Sequence, residues 1–420
     1  MPAKKPSKKN TTKDRITVRM YDVGFGDCFL VTIPTSKGDR RILFDCGSVK
    51  KGTRNMDDVV DMLIADVTEK GVPRIDVVVC THRHKDHIAG FEHPKWSDVE
   101  VGEVWLPWTE SDEPEAIRIR EAQLRLAAAL DAALDKSASL ALTPERKAFY
   151  NDARELTLNA TGNENAMMTL HEGFKARREV TRRFLPEKDK DGNILDTLTT
   201  ELLPGVTIHV LGPSRDENVI RDMDPPPGKS YMQLVSSTDA GSDAPEPFHT
   251  DWWVDKKDET VVIDAKDKER IKDYSDGFSA AVAAALDSAV NGTSLMLILQ
   301  FRDTYLLFPG DAQWGTWQVA MENKKFRRMM ERIAFYKIGH HGSHNATPKP
   351  FVKEILGKNV ISMASTYPMT KWPHIPLPEL MNDLIDHGPV IRSDQTAAAP
   401  AAFSVGQGDR AGIIETFIRI

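Results

Sequence analysis

One stretch, Ile75 to His87, restricts what this chain can become more than any other. Ile75 to Cys80 is a mostly apolar run of strand length behind Pro73. It ends on Thr81-His82-Arg83-His84-Lys85-Asp86-His87, which packs three imidazoles and a carboxylate into six positions. The whole chain holds 12 histidines in 420 residues, so a surface loop that merely happens to be rich in histidine is a poor account of the cluster. In a tight loop His82 and His84 point to the same side and can share one metal, while Asp86 and His87 turn onto a neighbouring one. This nitrogen and oxygen set suits borderline metals such as zinc. Met56 to Glu69, ahead of the strand, carries apolar residues at helical spacing. Helix followed by buried strand is the rhythm of an α/β protein, whose ligands collect at the C-terminal ends of its strands. The histidine loop stands at such an end.

The rest of the chain extends that pattern. Residues 16–48 predict an antiparallel meander, ITVRMYDVG, CFLVTIP and RILFDCGS, with a hairpin turn at TSKGDR where Gly38 can take a positive φ. Residues from about 110 to 188 are rich in Ala, Leu, Arg and Glu at helical spacing. They predict a helical insertion, whether as a cap over a cleft, a plain scaffold or a dimerisation element. GVTIHVL returns to sheet, and the stretch 214–273, dense in Asp, Pro, Ser and Lys, predicts a loop-rich insertion. SLMLILQF and TYLLFPGD predict a second buried hairpin. A helix over 314–332, the strand AFYKIG, the helix FVKEILG and further strands up to GIIETFIRI follow. We therefore expect a flexible basic tail over 1–15 and a single domain over 16–420 carrying both insertions. Its two halves share a layout but no sequence repeat.

Composition narrows the partners. Hydrophobic residues at 40% and charged residues at 28% allow a buried core. The net charge of −7 gives no global footprint for nucleic acid, which stays open only through a local basic groove. No run of about 18 apolar residues exists, so no membrane-spanning helix is expected. The basic N-terminus, with Lys4, Lys5, Lys8, Lys9, Lys13 and Arg15, lacks the apolar stretch of a secretory signal. Three cysteines, Cys28, Cys46 and Cys80, form no CxxC pair. That usage suits a reducing compartment, and a cytoplasmic location is the expectation. The sequence carries no signal for an oligomeric state.

The pattern HxHxDH resembles the signature of the metallo-β-lactamase superfamily. Further segments agree with it in order: Asp22-Val23-Gly24-Phe25-Gly26-Asp27, Leu43-Phe44-Asp45-Cys46-Gly47, Phe308-Pro309-Gly310-Asp311 and Gly339-His340-His341-Gly342-Ser343. Together with Ile391-Arg392-Ser393-Asp394 they look most like the hydrolase domain of the ComEC competence proteins and their stand-alone relatives. The resemblance spans residues 16–105, 203–213 and 291–394. It implies an α/β fold of αββα type, a sandwich of two mixed sheets flanked by helices, here with a helical insertion. It also implies two divalent metal ions, zinc or alternatively manganese, bridged by Asp311. A single oxygen donor touching both ions holds them about 3.5–4 Å apart, where one hydroxide can bridge them too.

Adjacent residues on an extended chain point opposite ways, so one of His340 and His341 is a ligand, with His341 favoured. The other contacts substrate or protonates the leaving group. The resemblance places a further histidine on a proline-rich loop. His374 in Trp372-Pro373-His374-Ile375-Pro376 occupies it, although Ile375 and Leu377 break the usual alternation of His and Pro. ComEC domains often carry aspartate where this chain has His84, so the first metal site is more complete here. The wider superfamily also has a histidine between the first motif and the bridging aspartate. The candidates are His93, His171, His209 and His249, none in the usual context. Asp22, Asp27 and Asp45 read as loop-fixing, Asp45 by accepting from a metal-bound imidazole. Asn291 and Ser294 read as loop formers and His344 as a surface histidine. Trp252 and Trp253 read as an aromatic cluster or as a stacking platform for a base or sugar.

The expectation is a dinuclear metal-dependent hydrolase working through a metal-bridging hydroxide. Asp86, His340 and His341 are its catalytic residues, and His82, His84, Asp86, His87, Asp311, His340, His341 and His374 its metal set. The ComEC resemblance favours phosphodiester substrates, as in a nuclease or phosphodiesterase. A carboxylic ester or lactone hydrolase, with an apolar pocket under the helical insertion, is the alternative. A non-catalytic metal-binding module is the third reading.

Overall fold

The computed structural model describes residues 15–140, 143–161, 163–175, 180–226, 228–231, 282–283, 285–343, 345–369 and 374–420. The basic tail before Arg15, most of the loop-rich insertion with His249, Trp252 and Trp253, and His344 lie outside the described residues.

The first sheet starts with β1 (Arg15–Tyr21), β2 (Phe29–Thr35) and β3 (Gly38–Phe44), an antiparallel meander whose second turn uses Gly38 at φ 102°. Alternation sets its faces: Ile16, Val18 and Met20 are buried while Thr17 and Arg19 are half-buried. The chain then crosses through α1 (Met56–Asp66). Asn55 caps this helix by accepting from the Asp58 N–H, and Asp57 and Asp58 face its positive end. After the short β4 (Thr68–Glu69) comes β5 (Val72–Val79), parallel to β3 and buried from Ile75 onward, and the single turn α2 (Lys85–Ile88) follows it. β6 (Glu100–Pro107) and β7 (Thr181–Leu185) continue in parallel. On the other side β16 (Ile413–Arg419) pairs with β1 and carries β15 (Phe403–Val405) at the edge.

The second sheet runs antiparallel through β8 (Thr197–Leu198), β9 (Val206–Gly212), β10 (Met296–Phe301) and β11 (Thr304–Phe308). It then runs parallel through β12 (Ile333–Lys337), β13 (Ile361–Ala364) and β14 (Val390–Arg392). The inner faces meet in a core that includes Val18, Phe29, Phe44, Val79, Leu297, Phe308 and Phe335. The outer face of the first sheet packs on α1 through Val59, Val60 and Leu63. That of the second packs on the helices Trp314–Glu322, Lys324–Met330 and Pro378–Ile385. Two mixed sheets between helical layers are the αββα architecture expected from the sequence. No helix among the described residues is long and apolar enough to cross a membrane.

Local readings differ in three places. The stretch expected to be helical does hold α3 (Pro114–Leu140) and α4 (Pro144–Thr161), but it also contains β7, whose sequence TRRFL hides a strand under polar residues at a sheet edge. The helix expected over 314–332 breaks at Asn323, whose side chain leaves the first helix to cap the next by accepting from Lys325 and Phe326 N–H. FVKEILG gives only a single wide turn over Phe351–Ile355.

Candidate metal centre

Three strand ends build the site. β5 runs into the His82–His87 loop, β11 into Pro309-Gly310-Asp311, and β12 into Gly339-His340-His341. All three strands lie in parallel pairs and deliver these loops at their C-terminal ends. The histidine loop is clamped by the two glycine-bearing segments that precede it. Asp27 N donates to Asp86 O at 2.9 Å, and Cys46 N donates to His87 O at 2.8 Å. A Cβ at Gly47 would stand 2.3 Å from Ile88 N, and one at Gly26 would stand 2.5 Å from Asp86 O. Only glycine lets the backbones come this close.

The donors converge as buried groups. His87 Nε2 lies 3.1 Å from Asp311 Oδ2 and 3.8 Å from Asp86 Oδ2, and His341 Nε2 lies 3.2 Å from Asp86 Oδ2. Asp86, His87, Asp311 and His341 each offer one atom within 4.8 Å of the others, a set that could hold a metal ion. His82 and His84 adjoin it: the rings of His82 and His87 are 4.1 Å apart, and His82 Nε2 is 3.0 Å from His84 Nδ1. Two features of the cluster suit a cation. Asp86 Oδ1 and His84 Nε2 are buried with no hydrogen-bond partner, a condition that a ligand relieves. The far nitrogens are also already engaged. His87 Nδ1 faces Asp45 Oδ2 at 2.9 Å and His341 Nδ1 faces the Ser365 carbonyl at 2.9 Å. With Nδ1–H donating outward, the neutral ring would turn its Nε2 lone pair to the cluster, which is how ligating imidazoles are oriented.

Electrostatics point the same way. Burial alone would lower His87, yet Asp311, Asp86 and Asp45 hold it well above its ordinary value. His341 is raised too, against burial, by its bond to Asp86 and by the charges of Asp27 and Asp311. Burial also opposes ionisation of Asp86, but His87 and His341 outweigh it and keep the carboxyl well below the usual range. The carboxylates therefore draw positive charge into this volume. His82 is pushed well down by burial and by His87 and His84, and burial takes His84 down to about 4, so both are neutral imidazoles near pH 7, the ligating form.

Asp45 holds more than His87, because its oxygens also accept from Thr81 N and Thr81 Oγ1, each at 2.7 Å. Asp45→Ala is expected to weaken metal affinity by about 10–100-fold, measured by titration against a chromophoric chelator. Unchanged affinity would remove the orienting role.

His340 and His341 do not lie on extended chain. Both take positive φ, 44° and 54°, in one tight turn, a region that non-glycine residues seldom adopt. The turn is held by Gly342 N donating to Gly339 O and by His340 N donating to Asp311 Oδ1 at 3.0 Å. His341 is thereby turned into the cluster. The His340 side chain keeps 20% exposure with its Nε2 4.0 Å from Asp311 Oδ2. His374 sits in an exposed turn and is not among the clustered donors of the described residues. His209 pairs with Gln300 across the second sheet and His171 stacks on Phe184. Asp22 fixes its own loop by accepting from Gly24 N and Thr53 N.

Two charged groups here were not singled out from sequence. Lys337, 3% exposed, is ion-paired with Asp27 and lies 3.6 Å from Asp311 Oδ1. A lysine inside the apolar strand AFYKIG was the available signal, since a buried ammonium needs partners. Asp287 lies 3.5 Å from His84 Nε2, and burial with the charges of Asp86 and Asp311 pushes its carboxyl up to about 8. A lone acid on a helix gives no such signal.

The helical insertion touches the site directly. Asn159 of α4 accepts from Lys85 N at 3.0 Å, and Asn163 just beyond α4 donates to the Arg83 carbonyl. Between α4 and the loops at 25, 48–50 and 369 opens a cavity of about 510 Å³, lined by Phe25, Lys50, Lys85, Glu155, Asn159 and Met369 among others. Phe25 packs on the His341 ring at 4.1 Å and joins cavity to cluster.

No curated protein matches the chain. Among protein families, the metallo-beta-lactamase superfamily matches over residues 21–105, the stretch that carries Asp22, Asp27, Asp45 and the His82–His87 loop.

Proposed function

We propose that this chain is a dinuclear metal-dependent hydrolase acting on phosphodiesters. The observation that carries the reading is the buried convergence of Asp86, His87, Asp311 and His341 from three separate strand ends. In this reading His82 and His84 would hold one divalent ion and Asp86, His87 and His341 the other, with Asp311 available as a donor to both. Nitrogen and oxygen donors favour zinc, with manganese the other candidate. Bound divalent ions polarise the scissile group and lower the pKa of water toward neutrality.

The chain's own residues supply the rest. Asp45 and the Ser365 carbonyl hold the His87 and His341 rings in the ligating tautomer. His340, the partly exposed histidine beside the cluster, contacts the substrate and moves a proton at the leaving oxygen. Phe25 and the α4 wall limit water beside the reacting group. Lys50 and Lys85 line the adjoining cavity, with Asp152 and Glu155 on the α4 wall, and in this reading the two ammonium groups face the anionic diester. One body with two insertions in a reducing, cytoplasmic compartment completes the proposal; Cys28, Cys46 and Cys80, all buried and free, agree with it.

Phe25, Leu156, Leu158 and Met369 give the same cavity an apolar side, which favours a second reading, a carboxylic ester or lactone hydrolase. Parallel assays of the zinc- and manganese-loaded protein on bis(p-nitrophenyl) phosphate and a lactone panel separate the two. Metal-dependent diester cleavage is expected, with a raised KM in Lys85→Ala. Lactone turnover without diester cleavage would overturn the phosphodiester reading.

A further inference from the structure

Asp287 belongs to the helical stretch 285–291 that leads into β10. Its Oδ1 lies 3.5 Å from His84 Nε2, an atom that is buried and has no hydrogen-bond partner. That spacing is long for a hydrogen bond. It is close to the ~3.3 Å expected between two donors that each stand about 2.05 Å from one tetrahedral zinc ion. The carboxylate is held in place: Asn291 Nδ2 donates to Oδ2 at 3.3 Å, and Asn159 of α4 hydrogen-bonds to it. Neighbouring Leu286 and Val290 pack on Ala127 of α3. Among the described residues no lysine or arginine is paired with it, although its side chain is only 14% exposed.

We propose that Asp287 is a ligand of the ion held by His82 and His84, so that the helix leading into β10, braced by the helical insertion, completes the first metal site. The proposal rests on the dinuclear reading above. It fills the position for which His93, His171, His209 and His249 offered no fitting histidine in sequence, with a carboxylate instead of an imidazole. It also gives α3 and α4 a task, because Asn159 and Ala127 fix where Asp287 stands.

Metal binding tests this without reference to turnover. Apo protein is reloaded with Zn²⁺ and titrated against a chromophoric chelator as wild type, Asp287→Ala, Asp287→His, Asn159→Ala, His84→Ala and Asp86→Ala, with far-UV circular dichroism on each. Wild type is expected to take two ions. Asp287→Ala should bind one of them at least about tenfold more weakly, Asp287→His should recover most of that loss, and Asn159→Ala should show a smaller one. Two ions held with wild-type affinity by folded Asp287→Ala would overturn the proposal. Should Asp287→Ala fail to fold, a wild-type Co²⁺ absorption spectrum in Asp287→His together with wild-type affinity in Asn159→Ala would overturn it equally. Single-ion losses in His84→Ala and Asp86→Ala alongside an unaffected Asp287→Ala sink only the role of Asp287. Wild-type binding in all of them sinks the dinuclear centre itself.

Discussion

Asp311→Ala is expected to lower metal-dependent turnover by about a thousandfold or more and to reduce the metal content of the purified protein. Asp311 is 1% exposed, and its two oxygens face different parts of the site. Oδ2 lies 3.1 Å from His87 Nε2, while Oδ1 accepts from His340 N at 3.0 Å and lies 3.6 Å from Lys337 Nζ. One truncation therefore removes a proposed metal donor, the anchor of the His340–His341 turn and part of the negative field that raises His87. A Lewis-acid site contributes several kcal/mol of transition-state stabilisation, and each 1.36 kcal/mol is a tenfold rate. A loss of ~4 kcal/mol is thus about a thousandfold. Asp311→Asn keeps the shape and the bond from His340 N but removes the charge, and it should fall nearly as far. The measurements are kcat on bis(p-nitrophenyl) phosphate and elemental analysis of each variant. Full activity with two ions per chain in Asp311→Ala would end any bridging role.

What sequence could deliver follows from distance along the chain. The His82–His87 loop was legible because its donors lie within six residues of one another and follow a buried strand. The β1–β3 meander was legible because alternation and a glycine turn are local signals. β7 was hidden because TRRFL, at the edge of its sheet, presents charges where a central strand would present valines. The paired histidines misled for a related reason: two consecutive left-handed residues are rare, so an extended reading of His340 and His341 was the default, and tertiary contacts to Asp311 and Ser365 overrode it. Asp287 lies some two hundred residues from His84, and only packing on α3 and α4 brings them together. The same holds for Asn159 on α4 and Asn163 just beyond it, polar residues whose sequence context says nothing of the loop they touch. Resemblance named the strand-end donors; it was silent on the insertion that surrounds them.

Lys337→Met is expected to destabilise the metal-free protein by about 3–5 kcal/mol, the usual consequence of leaving a buried partner charge unpaired. Lys337 is 3% exposed, ion-paired with Asp27, which is 1% exposed, and 3.6 Å from Asp311. Burial opposes its charge, but Asp27 and Asp311 raise the ammonium well above its ordinary value, so it is cationic at neutral pH. Methionine matches the aliphatic stem in length, which keeps the core volume and isolates the loss of charge. Asp27 would then face His87 Nδ1 at 3.7 Å as its nearest cationic partner, already engaged by Asp45. If this pairing is the cause, neutralising the orphan should recover part of the loss: Asp27→Asn with Lys337→Met should be more stable than Lys337→Met alone, a non-additivity that a double-mutant cycle measures directly. Urea unfolding in chelator, so that metal binding does not enter, gives each free energy. A loss below ~1 kcal/mol, or strict additivity in the cycle, would mean that Lys337 does not serve as the counter-charge of this site. The expected result instead makes it the fixed cation that lets three carboxylates, Asp27, Asp45 and Asp311, share one buried space before any metal arrives.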